Sequence, residues 1–198
     1  MAGKVFSKLK EFFKPSADLK AGKWSVGKDR HVVYSPFAVP LNPKVRKLGT
    51  SWEPHDKYIV VRHGDMPEAL GFVKDSQTVF IVCHCSALAK DVEDNAGNKL
   101  TAEELAERIA ADGLSKRHRR VKLYACSGGT GGLDSFASQL AGELILQGYF
   151  SLELYAYVST VCSLDPDTGQ KSALDLDQKG EPVQGTRVRP RNMRVRVL

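Results

Sequence analysis

Two residue types that catalyse acyl transfer stand at the ends of two apolar segments. His84 directly follows the segment "TVFIVC" (78–83), and Cys126 ends the segment "VKLYAC" (121–126). A cysteine attacks as its thiolate, so a catalytic cysteine needs a base such as imidazole beside it. Neighbouring strands lie about 4.8 Å apart, which would let both side chains reach one cleft. The sequence therefore predicts a His84–Cys126 dyad.

The segment after Cys126 is "SGGTGG" (127–132). Its glycines allow a sharp turn, which would expose the sulfur of Cys126. The turn would also leave backbone N–H groups available to donate to the oxyanion of a reaction intermediate. The helix predicted to begin near Asp134 adds positive potential, which favours a thiolate if the helix end lies close to the sulfur. Considered alone, each residue has a structural alternative. Cys126 would then be a small buried hydrophobic residue, and His84 a polar residue whose hydrogen bonds are made within the fold.

Strands and helices alternate around these two residues, as βαβ units require. The predicted helices end at Gly113 and Gly148, and Thr101 with Glu104 forms a capping box at the start of the first. This pattern predicts an α/β fold with a mainly parallel sheet and ligands at the carboxyl ends of its strands. The predicted strands are 57–61, 78–83, 121–126 and 152–158, and the predicted helices are 101–113 and 134–148.

The length of 198 residues and the 42% hydrophobic content fit one soluble domain. We divide it into an N-terminal amphipathic helix with a wrapping segment (1–56), an α/β core (57–162), and a polar loop with a basic strand (163–198). The sequence contains no Sec-type signal peptide and no apolar run long enough to span a membrane. The four cysteines do not form a disulfide framework, so we expect reduced thiols and cytoplasmic synthesis.

The segments "FIVCHCSA", "LTAEELAERI", "VKLYACSGG" and "DSFASQLAGEL" together resemble the core of clan CD cysteine peptidases. The similarity covers roughly residues 57–160 and is greatest to the self-processing proteases of bacterial toxins and effectors. It implies a three-layer α/β/α, caspase-like fold and peptide-bond hydrolysis, with Cys126 as nucleophile and His84 protonating the leaving amine. It also implies an oxyanion hole made by the backbone N–H groups of Cys85 and Cys126, and delivery by a specialised secretion system.

Cys85 departs from this family pattern, which has glycine after the histidine. Its side chain restricts φ, so the position is compatible with a tolerated variant, an inactive pseudoenzyme or a changed chemistry. His63, in "RHG" after the strand at 57–61, is the second candidate histidine. A disulfide between Cys85 and Cys126 that silences the nucleophile is a further alternative.

Zinc binding is the competing chemistry, because Cys83, His84, Cys85, Cys126 and Cys162 could all lie near one rim. However, the side chains of Cys83 and Cys85 point away from that of His84 in an extended strand. The sequence also lacks a C-x-x-C pair, so we assign no metal and no required cofactor.

The loops after the rim strands should line the substrate pocket. We assign to it Ser127, Gly128, Ser159 and Asp165. Asp165 and Asp167 could recognise a basic side chain before the cleaved bond, although "DPDTG" is also typical of a simple turn.

Two basic clusters account for much of the net charge of +6. One lies at 115–122 and the other at 187–198, and each is either an anion site or a solvated loop or edge strand. The resemblance to toxin proteases implies an inositol polyphosphate activator at such residues. The candidate anion-binding residues are Lys116, Arg117, Arg119, Arg120, Arg187, Arg189, Arg191, Arg194 and Arg196.

The alternative function is that of a catalytically inactive clan CD-like module. It would hold an anionic partner (polyphosphate, acidic lipid or nucleic acid) through these basic patches. The basic amphipathic helix predicted within residues 1–14 could instead lie on an anionic membrane or pack on its own domain.

Overall fold

A six-stranded, mainly parallel sheet forms the centre of the structure, a computed structural model that describes residues 30–39, 47–165 and 167–198. The helix predicted within residues 1–14 lies outside the described residues. The strands of this sheet follow the order β10-β7-β6-β3-β1-β2, and the edge strand β10 is antiparallel. Their bounds are β1 His31–Ser35, β2 Tyr58–Arg62, β3 Thr78–Val82, β6 Arg120–Tyr124, β7 Glu153–Tyr157 and β10 Arg194–Arg196.

Strand β1 lies between β2 and β3, although the sequence indicated only a strand-like piece in a wrapping segment. Its residues are buried on both faces: Val32 and Tyr34 face the core beneath the helices, and Val33 faces the opposite side. Such two-sided burial is typical of a central parallel strand. Two antiparallel hairpins complete the described strands, β4 Asp91–Glu93 with β5 Lys99–Thr101, and β8 Ala173–Leu176 with β9 Pro182–Val188.

The two α-helices begin and end close to the predicted positions. Helix α1 spans Ala102–Ala111, and the capping box of Thr101 and Glu104 forms as predicted. Helix α2 spans Phe136–Leu146, and the Ser135 hydroxyl accepts the N–H of Ser138 at its start. Gly113 and Gly148 follow these helices with positive φ, as helix-ending glycines do.

Both α-helices pack on the same face of the sheet. Their buried side chains join alternate residues of the strands in one core that includes Leu105, Leu140 and Leu123. The other face carries an aromatic cluster, covered in the described part of the chain by the 3-10 turn at Thr50–Trp52 and by Leu164. No helix in the described residues is both long and apolar enough to cross a membrane. The aromatic cluster contains Trp52, Tyr58, Phe80, Tyr124 and Tyr157.

Candidate functional site

The sheet brings His84 and Cys126 to the same face and the same edge. Strands β3 and β6 are parallel neighbours, and their register pairs Val82 with Tyr124. His84 and Cys126 each lie two residues further on, so their side chains project to the same side as those of Val82 and Tyr124. Both residues line one cavity of about 170 Å³. The expected adjacency of the two strands is therefore confirmed.

The cavity is half polar and half apolar in character. Its apolar wall comes from segment 47–52, from the ends of β3 and β6 and from Val161 after β7, and its polar groups are spread over the same regions and Asn95. Among the described residues of the lining, Lys47 carries a permanent positive charge and none carries a carboxylate. The apolar lining residues are Leu48, Trp52, Val82, Tyr124 and Val161, and Asn95, Cys162 and Ser163 are among the polar ones.

Asn95 holds the imidazole of His84. The Nε2 atom of His84 lies 2.6 Å from Oδ1 of Asn95, an acceptor, so Nε2 carries the proton and Nδ1 is left as the basic nitrogen. The backbone of His84 is fixed as well, since it exchanges two hydrogen bonds with Glu93 at 2.8 and 3.0 Å. The ring of this exposed histidine is therefore oriented by a side-chain amide, as a catalytic base requires.

The turn between β4 and β5 fixes Asn95 in place. The buried carboxylate of Asp94 accepts the backbone N–H groups of Ala96 and Asn98 at 2.8 and 2.9 Å. The side-chain amide of Asn98 donates to the same carboxylate. Sequence reasoning missed Asn95 because "EDNAGNK" signals a turn, but nothing in it shows that the turn returns to His84.

Cys126 is a half-buried, protonated thiol. Its Sγ–H donates to the carbonyl of Val161 at 3.7 Å. Burial raises the pKa of the Cys126 thiol, and the neighbouring thiol of Cys162 raises it further. The net shift of this pKa is therefore upward. A nucleophilic role would require a base to remove the proton during the reaction.

The loop after Cys126 is tightly pinned to strand β7. Ser127 has a φ of 53°, a left-handed conformation that is uncommon for a residue with a side chain. The N–H groups of Ser127 and Gly129 donate to the carbonyls of Ser159 and Tyr157. A Cβ at Gly129 would lie 2.8 Å from Cγ2 of Val195, so this glycine permits close packing of the loop on the sheet.

The two N–H groups assigned to an oxyanion hole are not used by the backbone. Within the described ranges, neither Cys85 nor Cys126 donates its N–H to a backbone carbonyl. Cys85 is also not among the described non-glycine residues with positive φ, which are Glu68, Leu88 and Ser127. A side chain at position 85 is therefore accommodated without a left-handed backbone.

The four cysteines are all free thiols. Cys83 is buried in the core beneath the helices, and burial raises the pKa of Cys85, which packs against the same core, to about 11. The side chains of Cys83 and Cys85 thus point away from that of His84, as expected. The described residues contain no group of three or more His, Cys, Asp or Glu side chains arranged to hold a metal ion.

None of the four residues assigned to a substrate pocket lines the cavity beside Cys126. Ser159 is fully buried, and its hydroxyl donates to the carbonyl of Leu174. Asp165 is occupied within its own turn, where one carboxylate oxygen accepts the N–H of Thr168 at 2.8 Å. Ser127 and Gly128 lie within the pinned loop itself. Segments 47–52 and 161–163 line the cavity instead.

His63, the second candidate histidine, lies away from Cys126. It ends β2, two strands beyond β3, and its Nδ1 lies 3.0 Å from the buried carboxylate of Asp112. The hydroxyl of Tyr34 donates to the same carboxylate at 2.5 Å. This arrangement ties the end of β2 to the end of α1, which is a structural role.

Most residues of the two basic clusters, at 115–122 and 187–198, form contacts with other residues of the chain. Arg120 and Arg196 both pair with Glu153, at 3.3 and 3.6 Å, so the two clusters meet at this carboxylate. Arg117 pairs with Asp75, and the ammonium of Lys116 lies 4.0 Å above the ring of Tyr149. Arg187 and Arg194 contact Ser172 and Tyr155 respectively. The remaining members, Arg119, Arg189 and Arg191, are exposed.

These features define an α/β protein with a mainly parallel sheet and a polar cleft at the carboxyl ends of its central strands. Residues 66–149 match a family model described as a domain of unknown function (DUF8616). The matched range contains His84, Asn95 and Cys126 together with α1 and α2. No curated protein matches the chain.

Proposed function

We propose that the protein is a cysteine peptidase-like enzyme of clan CD type that hydrolyses peptide bonds with a His84–Cys126 dyad. The observation that carries this proposal is the shared cleft of these two side chains at the ends of adjacent parallel strands. Acyl transfer needs a base, a nucleophile and donors for an oxyanion. Here His84, oriented by the amide of Asn95, would be the base and Cys126 the nucleophile. The N–H groups of Cys85 and Cys126, which have no backbone acceptors among the described residues, would be the donors.

In this mechanism Cys126 starts as a neutral thiol. As Sγ attacks the substrate carbonyl carbon, its proton passes to Nδ1 of His84 and the carbonyl oxygen becomes an oxyanion. The N–H groups of Cys85 and Cys126 donate to that oxyanion. The C–N bond then breaks, and His84 returns the proton to the leaving amine. Water next attacks the thioacyl carbon, gives a proton through His84 to the sulfur, and releases the carboxylic acid.

The cavity lining favours an apolar side chain before the cleaved bond. Leu48, Trp52, Val82 and Val161 would surround such a side chain, whereas the part of the lining that the structure describes offers no carboxylate to a basic one. Asp165, the residue considered for a basic side chain, is bound within its own turn. We therefore propose a preference for residues such as leucine over arginine.

Several further assignments rest only on the resemblance of the sequence to clan CD peptidases. They include the three-layer α/β/α, caspase-like arrangement, a bacterial toxin or effector role and signal-less secretion. A second helical layer would have to come from outside the described residues, where the predicted helix of residues 1–14 lies. An inositol polyphosphate activator belongs to the same set of proposals. Addition of inositol hexakisphosphate to a cleavage assay tests it directly.

Covalent labelling tests the proposed activity. The full chain is incubated with a leucine-containing acyloxymethyl ketone peptide, and the modified residue is found by mass spectrometry. We expect labelling of Cys126 that His84→Ala slows at least about 100-fold. The control is Ser163→Ala, which removes an exposed hydroxyl lining the same cleft and should keep the labelling rate. Equal labelling of Cys126 in the His84→Ala protein would contradict the dyad.

A further inference from the structure

A row of basic side chains crosses the aromatic face of the sheet, separate from the arginine clusters. The ammonium groups of Lys122 and Lys171 lie 5.0 and 4.5 Å from the centre of the Phe80 ring. Lys171 also lies 5.0 Å from the ring of Tyr58, over which Lys57 sits at 5.5 Å. We name these three lysines the lysine row.

The row runs diagonally across the strands, because Phe80 pairs with Val33 whereas Tyr58 pairs with His31, two residues earlier on β1. Lys122 is on β6 beside Phe80 of β3, Lys57 directly precedes β2, and Lys171 reaches over the rings from the segment before β8. Strands β6, β3, β1 and β2 are consecutive in the sheet. The ring of His31 on β1 lies 5.7 Å from that of Phe80 and closes the gap between them. Four strands span roughly 14 Å at the usual spacing.

No carboxylate of the described residues pairs with these lysines. None of the three lysines forms an ion pair with an Asp or Glu in the described part of the chain. The one polar side-chain contact described for the row is that of Lys171, which donates to the hydroxyl of Tyr58 at 2.8 Å. Lys171 and Lys122 are half-buried, and burial together with neighbouring cations lowers the pKa of each to about 8. Unbalanced, desolvated cations of this kind favour an anionic ligand.

We propose that the lysine row is a docking site for an acidic peptide segment in extended conformation. The cations lie over adjoining rings: Lys122 and Lys171 share Phe80, and Lys171 and Lys57 share Tyr58. They are thus spread across several strands, so they match charges spaced along a chain. An extended peptide rises about 3.3 Å per residue, so about five residues with alternating carboxylates would cover the row. This proposal is independent of the peptidase activity.

The row lies on the same sheet face as the cleft but apart from it. Lys122 precedes Cys126 by four residues, and Phe80 precedes His84 by four residues. The Lys122 end of the row therefore lies roughly 13 Å below the dyad along the strands.

Fluorescence anisotropy of a labelled peptide that alternates glutamate and glycine tests the site on the full chain. We expect binding that weakens about tenfold or more in Lys122→Gln/Lys171→Gln and falls steeply with added salt. The charge-matched control is Lys74→Gln/Lys179→Gln, which removes two exposed lysines elsewhere and should retain the affinity. The single variant Lys57→Gln, at an exposed position, should weaken binding without any risk to the core.

Three outcomes would overturn the proposal. The first is equal binding of a matched peptide that alternates glutamine and glycine. The second is equal loss of affinity in the control double variant. The third is competition in which inorganic tripolyphosphate binds the row while the acidic peptide does not, since this would assign a compact phosphate ligand. Because binding is measured without cleavage, an inactive His84–Cys126 dyad would leave each result unchanged.

Discussion

At the residue scale, the state of the Cys126 thiol decides which catalytic route is open. Burial raises its pKa, and its proton is held by the carbonyl of Val161. An enzyme with such a cysteine cannot rely on a preformed thiolate, so the basicity and position of His84 become limiting. In the proposed mechanism, the contact between His84 and Asn95 would therefore matter as much as the thiol itself.

The raised pKa of Cys126 predicts slow alkylation at neutral pH. We expect iodoacetamide to modify Cys126 more slowly than a free peptide thiol at pH 7.5, with a rate that is still rising where the rate of the free thiol has levelled off. Time-resolved mass spectrometry of tryptic peptides gives this rate. A Cys126 rate that is already maximal at pH 7 would show that the thiol rests as a thiolate.

Asn95 predicts a positioning effect on the dyad. Asn95→Ala removes the acceptor that fixes the Nε2 proton of His84, so we expect kcat for peptide cleavage to fall about 10- to 100-fold with little change in KM. The pH profile of Cys126 labelling should shift at the same time, which a purely structural role would not cause. Asn192→Ala, at an exposed asparagine in another segment, is the control and should leave both unchanged.

At the element scale, the loop after β6 depends on two kinds of glycine. Gly131 adopts a positive φ of 106°, whereas Gly129 is required by the close approach of Val195 and Ala156. Together they let the loop fold back onto β7 through the N–H groups of Ser127 and Gly129. The position of Cys126 is thus set by the sheet beneath it.

Gly129→Ala should destabilise the protein by about 1–3 kcal/mol, because the new Cβ overlaps Val195 and Ala156. The matched control is Gly142→Ala in helix α2, where a Cβ meets no atom within 4 Å. That change should stabilise the fold by about 0.5–1 kcal/mol through helix propensity. Urea unfolding of the two variants measures both values, and equal stabilities would contradict this packing.

Local signals in the sequence predicted the helices and strands that have a clear apolar pattern or a helix-capping motif. The capping box at Thr101, the glycine stops and the apolar runs of β3 and β6 each depend on neighbouring residues alone. The insertion of β1 between β2 and β3 was not predictable, since strand order depends on long-range packing. Asn95 and the lysine row were missed for the same reason: their partners lie in distant segments.

At the scale of the whole molecule, charge is distributed unevenly between the two faces of the sheet. The helical face is covered by apolar side chains of α1 and α2. The aromatic face carries both the cleft and the lysine row, whose cations face Lys57, His31 and Arg194 and no described carboxylate. Partial burial of these charges raises the free energy of the folded protein, whereas the unfolded chain keeps them in water.

This charge predicts that stability depends on pH. The pKa of Lys122 and Lys171 is about 8 in the fold against 10.5 in the unfolded chain. Between these values the unfolded chain binds more protons, so the contribution of both lysines to stability rises with pH. We expect Lys122→Met/Lys171→Met to be more stable than the natural chain by about 1–2 kcal/mol at pH 7, after allowance for solvent screening, with the difference vanishing toward pH 10.

Urea unfolding under reducing conditions at several pH values measures this difference. The control double variant Lys74→Met/Lys179→Met replaces exposed lysines and should show no such trend. A stability difference for the Lys122→Met/Lys171→Met protein that stays constant from pH 7 to pH 10 would contradict the effect of burial on these two lysines.

The most direct test of the proposed dyad is a crystal structure of the full chain after reaction with a peptidyl electrophile. The account predicts a covalent bond from Sγ of Cys126 to the inhibitor and the ring of His84 within hydrogen-bonding distance of the reacting group. It also predicts that the inhibitor oxygen accepts the N–H groups of Cys85 and Cys126. An adduct on Cys85 or Cys162, or a His84 ring turned out of the cleft, would contradict it.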